Sequence, residues 1–191
     1  MAFIGAIVLA AVGSGFVWWA IDKGMDARRA RRRRAALQLV FDAGRVQPFY
    51  VEQAVWSDDG RQHATRQLFC IGVRNSFDEP LTARVVVEEV AYHTPPIRPE
   101  RPLQVFAAPR GQSETTVHPG NAPALFELAE CFESGDMAFL CYAESVHESY
   151  PGRDTRVLLR VEGGGGMHRM AFKVKTHVRH GVRIPFTVEA A

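Results

Sequence analysis

The first 21 residues carry no charged side chain, and three cysteines are scattered through 191 residues. Neither scarcity is neutral. Three thiols at irregular spacing (Cys70, Cys131, Cys141) describe no disulfide framework, so the fold has to rest on its own core. No Cys-x-x-Cys or His-Glu-x-x-His spacing occurs, which leaves the seven histidines (His63, His93, His118, His147, His168, His177, His180) without a closed metal site and read as surface residues. Gly163 to Gly166 are followed by a strand pattern and no Lys-Ser/Thr pair, so they read as a flexible hairpin tip and not a phosphate loop. No cofactor is called for, and no catalytic signature is present.

What is present is divided in two. Residues 1–45 hold 8 Lys/Arg against 3 Asp/Glu, a net +5, while residues 46–191 hold 15 against 18, a net −3. The overall +2 is a cancellation. Phe3 to Ile21 is an uncharged run whose helical length, roughly 28 Å, approaches that of a hydrocarbon core. Trp18 and Trp19 close it, as interfacial anchors do, and Lys23, Arg28, Arg29, Arg31, Arg32, Arg33 and Arg34 follow.

A cleaved signal would carry its cations before the apolar run; here they come after it. The expectation is a retained transmembrane anchor at 1–21 in the cell membrane, N-terminus outside, and a cytoplasmic remainder. A basic juxtamembrane helix or linker at 22–45 is expected to run helical to about Phe41, with its cations setting topology and meeting anionic headgroups. Nucleic acid is not the expected partner, because neither stacking aromatics nor a recognition fold accompanies the run. Ala6, Ala10 and Ser14 recur every four residues, a small-residue stripe that could support a weak homodimer.

From Val46 the apolar period falls to two. Ala83, Val85 and Val87 alternate with Arg84, Val86 and Glu88. Val157, Leu159 and Val161 alternate with Arg156, Arg160 and Glu162, and after the glycines Met170, Phe172 and Val174 continue the pattern. Further strands are expected at 49–56, 65–74, 103–107, 113–118, 124–132 and 137–145. Val182–Val188 forms the last one, at an edge because Pro185 lacks an amide proton. The proline-rich 93–102 stretch reads as an extended crossover between sheets. A turn at Ser134-Gly135 would set Cys131 opposite Ala138 and Cys141 opposite Leu128, too far offset for a disulfide. The fold expected for 46–191 is therefore a mainly β, antiparallel sandwich.

Within it, FCIGVRNSFDEPLTARVVVEEV followed by VHPGNAPALFELAE resembles a pattern of immunoglobulin-like bacterial domains, the adhesive CARDB-type modules among them, and of membrane-anchored bacterial proteins. Val73, Asn75, Val85, Val87, Pro119 and Gly120 carry the resemblance. It implies an Ig-like sandwich and transfers no catalytic residue. The function expected is a non-enzymatic protein-binding or scaffolding module on the cytoplasmic face, with a protein partner and membrane lipids. The rivals are an envelope-facing adhesive domain of inverted topology and a membrane-tethered hydrolase using Ser145 and His147. Two charge features are read as solvated outer faces of the sandwich, the alternative being a docking surface for another protein or for headgroups beside the anchor: Glu127, Glu130, Glu133 and Asp136 as acidic, Arg169, Lys173, Lys175, Arg179 and Arg183 as basic.

Overall fold

The computed structural model of the protein describes residues 2–91, 95–120, 122–132, 137–144, 149–151, 155–179 and 182–191; the side chains of 2–17, 63, 137, 149–151, 176–179 and 182–186 lie outside that description. Helix α1 (Ala2–Arg34) leads into two antiparallel sheets. Sheet I runs β1 (Leu37–Val40), β3 (Gln62–Asn75), β7 (Ala124–Phe132), β8 (Met137–Leu140), β9 (Ser149–Pro151), with β2 (Tyr50–Trp56) also on β3. Sheet II runs β12 (Val182–Ala190), β11 (Gly166–Arg179), β10 (Thr155–Gly163), β4 (Leu81–Ala91), β5 (Arg101–Pro102), with β6 (Glu114–Val117) also on β4. Between them lies one apolar core, with Phe69, Phe126, Phe172, Ile71, Leu128 and Leu159 fully buried. The mainly β sandwich is thus present, and the long helix precedes it.

The period-two segments bury the residues they should. Ala83, Val85, Val87, Val157, Leu159, Phe172 and Val174 face inward, while Arg156 and Lys173 face out. The register Cys131↔Ala138 is as the turn arithmetic requires, and Cys141 donates its amide to the Leu128 carbonyl at 3.2 Å. The proline-rich stretch is corrected: it folds back along β4 within sheet II, Ile97 bridging Val90, as suits an edge segment whose prolines lack ladder donors, and the crossing to sheet I follows it at Leu103–Gln104. Arg101–Pro102 pairs with β4 in sheet II, and two residues later Gln104 bonds Cys141 and Glu127 in sheet I. Residues 93 and 94 of the proline-rich stretch lie outside the description. β12 occupies the edge expected of a strand containing Pro185.

One boundary is corrected. The helix ends at Arg34, not near Phe41, and Leu37–Val40 is a strand paired with β3. Leu37 and Leu39 are buried and Gln38 between them is exposed, an alternation four residues long inside a segment of good helix formers. Core burial with a paired ladder outweighs helix propensity worth a few tenths of a kcal/mol per residue. Leu39 also donates its amide to His168 Nδ1 of β11 at 3.4 Å, tying the two sheets at this edge. The sandwich therefore starts near Ala36, which is itself buried, rather than at residue 46.

Candidate functional site at the helix–sandwich junction

The last turn of α1 tightens before it ends: Ala35 donates to both Arg31 and Arg32 carbonyls, and Ala36 to Arg33 at 3.3 Å. Arg31 to Arg34 fill that turn, where positive charge complements the C-terminal end of the helix dipole. Immediately beyond lies the β10–β11 turn. Gly164 and Gly165 have φ of +60° and +77°, as a two-residue hairpin turn with both central residues left-handed demands.

This glycine run is more than a flexible tip. A Cβ on Gly166 would stand 1.6 Å from the Arg34 carbonyl oxygen, and one on Gly164 would stand 2.8 Å from that of Arg33. On Gly163 it would meet the Thr82 carbonyl at 2.2 Å. Gly164 and Gly166 form a seat on which the backbone of the helix end rests, and side chains at these two positions would push it off.

The β3–β4 loop holds the other side. Asn75 is buried; its amide nitrogen donates to the Glu79 and Val117 carbonyls at 2.7 and 2.9 Å, and its oxygen accepts from the Phe77 amide at 2.9 Å. That closes the turn within which Glu79 pairs with Arg29 and Phe77 lies 6.0 Å beneath the Arg29 guanidinium. Ser76 donates its amide and its hydroxyl to the Ala36 carbonyl. Asn75 also bridges to Pro119 at the end of the sandwich where α1 enters.

Of the cations singled out in the sequence, Lys23, Arg28, Arg31, Arg32, Arg33 and Arg34 are exposed, and Arg29 is exposed but paired with the sandwich. Trp18 and Trp19 are 71% and 57% exposed. Among the described residues no helix is long and apolar enough to cross a membrane. The expected span at Phe3–Ile21 falls mostly on side chains outside the description, as does the Ala6, Ala10, Ser14 stripe. Ser145 and His147 also lie outside the described residues, as do His93 and His180, and so do the side chains of His63 and His177. His118 and His168 are exposed, and no group of His, Cys, Asp and Glu able to hold a metal occurs among the described residues.

All three cysteines are free and buried. Burial pushes the Cys70 thiol up to about 12 and raises Cys141 well above its usual value, which makes both poor nucleophiles at neutral pH.

Of the two charge clusters, the acidic one departs from the solvated face expected, and the basic one faces water but is paired with acids. A bulge sets Cys70 opposite Glu127 while Phe69 opposes Ala129, so Leu128 is the extra residue. Leu128 and Ala129 are both fully buried, and Glu127 and Glu130, three apart, therefore share the outer face of sheet I. Arg66 lies between them, donating Nη2 to Glu127 at 2.9 Å and Nε to Glu130. Burial disfavours the guanidinium charge, but the two carboxylates outweigh it and lift the Arg66 pKa further. In a regular strand a three-residue spacing would put the glutamates on opposite faces, so the pattern alone hides this triad. The visible signal is two acids inside an otherwise apolar strand, ALFELAECF.

On sheet II the "basic" hairpin is a mixed ladder. Arg169 bonds Glu88 at 2.6 and 2.9 Å, Arg160 meets Glu100 and Glu162 at 2.8 Å, Arg84 meets Glu162 at 2.6 Å, and Lys175 meets Glu189 at 2.7 Å. No protein-family model, curated protein or solved structure matches the chain.

Proposed function

We propose that the chain is a single-pass membrane protein whose sandwich, of immunoglobulin-like type, faces the cytoplasm and serves as a non-enzymatic protein-binding or scaffolding module. The observation that carries this reading is the helix itself. α1 runs without a break from the uncharged leading sequence to the glycine seat, so the lipid-compatible segment, the cation block and the folded domain form one continuous element. Trp18, Trp19, Ile21 and Met25, at 71%, 57%, 47% and 60% exposure, are apolar surface that a water-facing helix would keep covered.

From Ile21 to Arg34 the helix rises about 20 Å. The seat then holds the sandwich about that far from the apolar boundary. With a screening length of about 8 Å at physiological salt, Lys23 and Arg28 stand nearest the anionic headgroups, while Arg31 to Arg34 mainly oppose translocation. Ala6, Ala10 and Ser14 provide the face through which two such helices would pair weakly.

Membrane fractionation tests the anchor: the protein is expected in the membrane fraction, released by detergent and not by alkaline carbonate. Recovery from the aqueous fraction would end this reading. For orientation the native thiols are poor reporters because they are buried, so the exposed loop residue is replaced, Asp58→Cys. An impermeant maleimide should leave it unlabelled in intact cells and label it after lysis. Labelling in intact cells would turn the topology over to the envelope-facing alternative. Gly166→Ala probes the seat, and protease cleavage after Arg34 should quicken while the sandwich stays folded.

A further inference from the structure

The outer face of sheet I carries a cleft of about 600 Å³ that the junction does not use. That volume is in the range of ligand and side-chain pockets. Val55, Phe132 and Phe139 contribute its apolar walls, and the Phe132 and Phe139 rings meet edge to face at 6.4 Å. Its floor is Arg66 between Glu127 and Glu130, whose side chains are 22%, 15% and 10% exposed. One guanidinium serves two carboxylates, so the floor carries a net −1. At the rim Arg110 and Glu144 offset one another. The bulge at Leu128 is what turns both acids into this cleft, and bulges commonly re-aim side chains in this way at functional sites.

We propose that this cleft is the docking site for a basic segment of a partner protein, which inserts one lysine or arginine side chain between the apolar walls and sets its cation against the Glu127 and Glu130 carboxylates. The proposal deepens the binding-module reading and rests on it. Charge complementarity selects the occupant: an uncompensated negative charge in a partly desolvated cleft attracts a cation far more strongly than one on open surface. The apolar walls suit the methylene stem of Lys or Arg and apolar neighbours on the same segment. Arg66 keeps the two acids from repelling one another while the cleft is empty, and this preorganises them.

The test uses the full chain in detergent micelles with methyl-labelled Val, reading the two methyls of Val55 during titration. The probes are acetyl-Leu-Lys-Leu-amide, its norleucine counterpart, and n-butylammonium. The lysine peptide is expected to shift both methyls saturably, and the norleucine peptide to bind at least tenfold more weakly. Glu127→Gln should weaken the lysine peptide about fivefold or more. Glu144→Gln, exposed at the rim and safe for folding, should weaken it about twofold, and Glu88→Gln on sheet II should leave it unchanged.

No saturable shift in a folded protein overturns the proposal. Equal binding of the norleucine peptide reduces the cleft to an apolar groove and also overturns it. Butylammonium binding as tightly as the peptide makes it a small-amine site and overturns the choice of partner. Fractionation of the cells that express the same variants, before detergent is added, separates the failures: cleft binding lost with membrane recovery intact sinks only the cleft, whereas aqueous recovery sinks the anchored reading.

Discussion

The outer faces of the two sheets are built from the same residue types and treat them in opposite ways. On sheet I one arginine and two glutamates sit in a cleft beside a small second apolar cluster, Leu68, Cys70 and Cys141, against which Phe106 packs. The 103–112 segment borders that face, hydrogen-bonded alongside β7, and closes around the buried Gln104; its amide nitrogen donates to the Val105, Ala108 and Pro109 carbonyls and its oxygen accepts from Gly111. On sheet II, Arg84, Arg160 and Arg169 interleave with Glu88, Glu100, Glu114 and Glu162 in contact with water. Water screens the second array and reaches the first only through the cleft. Hydration therefore decides how much each ion pair matters to folding, and the number of pairs does not.

The comparison is broken most directly by Arg66→Met. Removing the shared cation leaves Glu127 and Glu130 facing each other with no counter-charge, and the expected loss is roughly 3 kcal/mol, at the low end for breaking a buried pair because the cleft admits water. Chemical denaturation of the full chain in detergent measures it. The joint replacement of Arg66, Glu127 and Glu130 by Met, Leu and Leu removes every charge instead of orphaning two. It should restore stability to within about 1 kcal/mol of the parent. A triple variant as unstable as Arg66→Met would mean that the apolar walls, and not the charges, hold that face.

Glu130→Gln comes next. It keeps the side-chain shape and loses one charge-assisted bond from Arg66, for an expected cost of about 1.5 kcal/mol. Arg160→Met on sheet II removes contacts to three carboxylates; its side chain is only 15% exposed, but Glu100 and Glu162, at 49% and 28%, keep contact with water and hold the expected loss to about 1 kcal/mol. If Arg160→Met proved as costly as Arg66→Met, the distinction between the two faces would fail.

How far the sequence carried these conclusions depended on whether the chain stayed in register. The hairpin from Val157 to Val174 and the pairing around Cys131 were legible, because uninterrupted alternation and a turn of known length determine which residues oppose each other. The inter-sheet crossing was misplaced, because the prolines mark an edge segment that returns along β4 and the chain changes sheets only after Pro102. The triad was not: one extra residue at Leu128 reverses the facing of everything beyond it, and no local signal marks the bulge. Strand β1 was obscured by the helix formers before it, since four alternating residues look like part of a helix until β3 is known to lie alongside. At the junction the sequence showed the glycines but not their neighbour. A run of four reads as slackness when it is a close approach to the Arg33 and Arg34 carbonyls.

The smallest expected effect is a titration, and its sign follows from the open ladder. The hydrogen bond from Arg169 holds the Glu88 carboxyl below its usual value. For Glu162 burial works the other way, but Arg84 and Arg160 outweigh it and the pKa is again lowered. A carboxylate whose folded pKa is depressed contributes stability that is fully present above its unfolded pKa, about 4.3, and is lost as the pH falls through the folded value. Stability measured from pH 6 down to pH 3 should therefore decline less steeply in Glu88→Gln than in the parent, and the two curves should draw together at the acid end. Adding salt at pH 6 should narrow the same gap, because the Glu88–Arg169 pair meets solvent at the guanidinium, which is 52% exposed. The salt response of Glu130→Gln should be weaker, its pair being largely out of solvent. A salt response equal on both faces would show that the cleft on sheet I is as wet as the open ladder, and the low-dielectric argument for cation docking there would go with it.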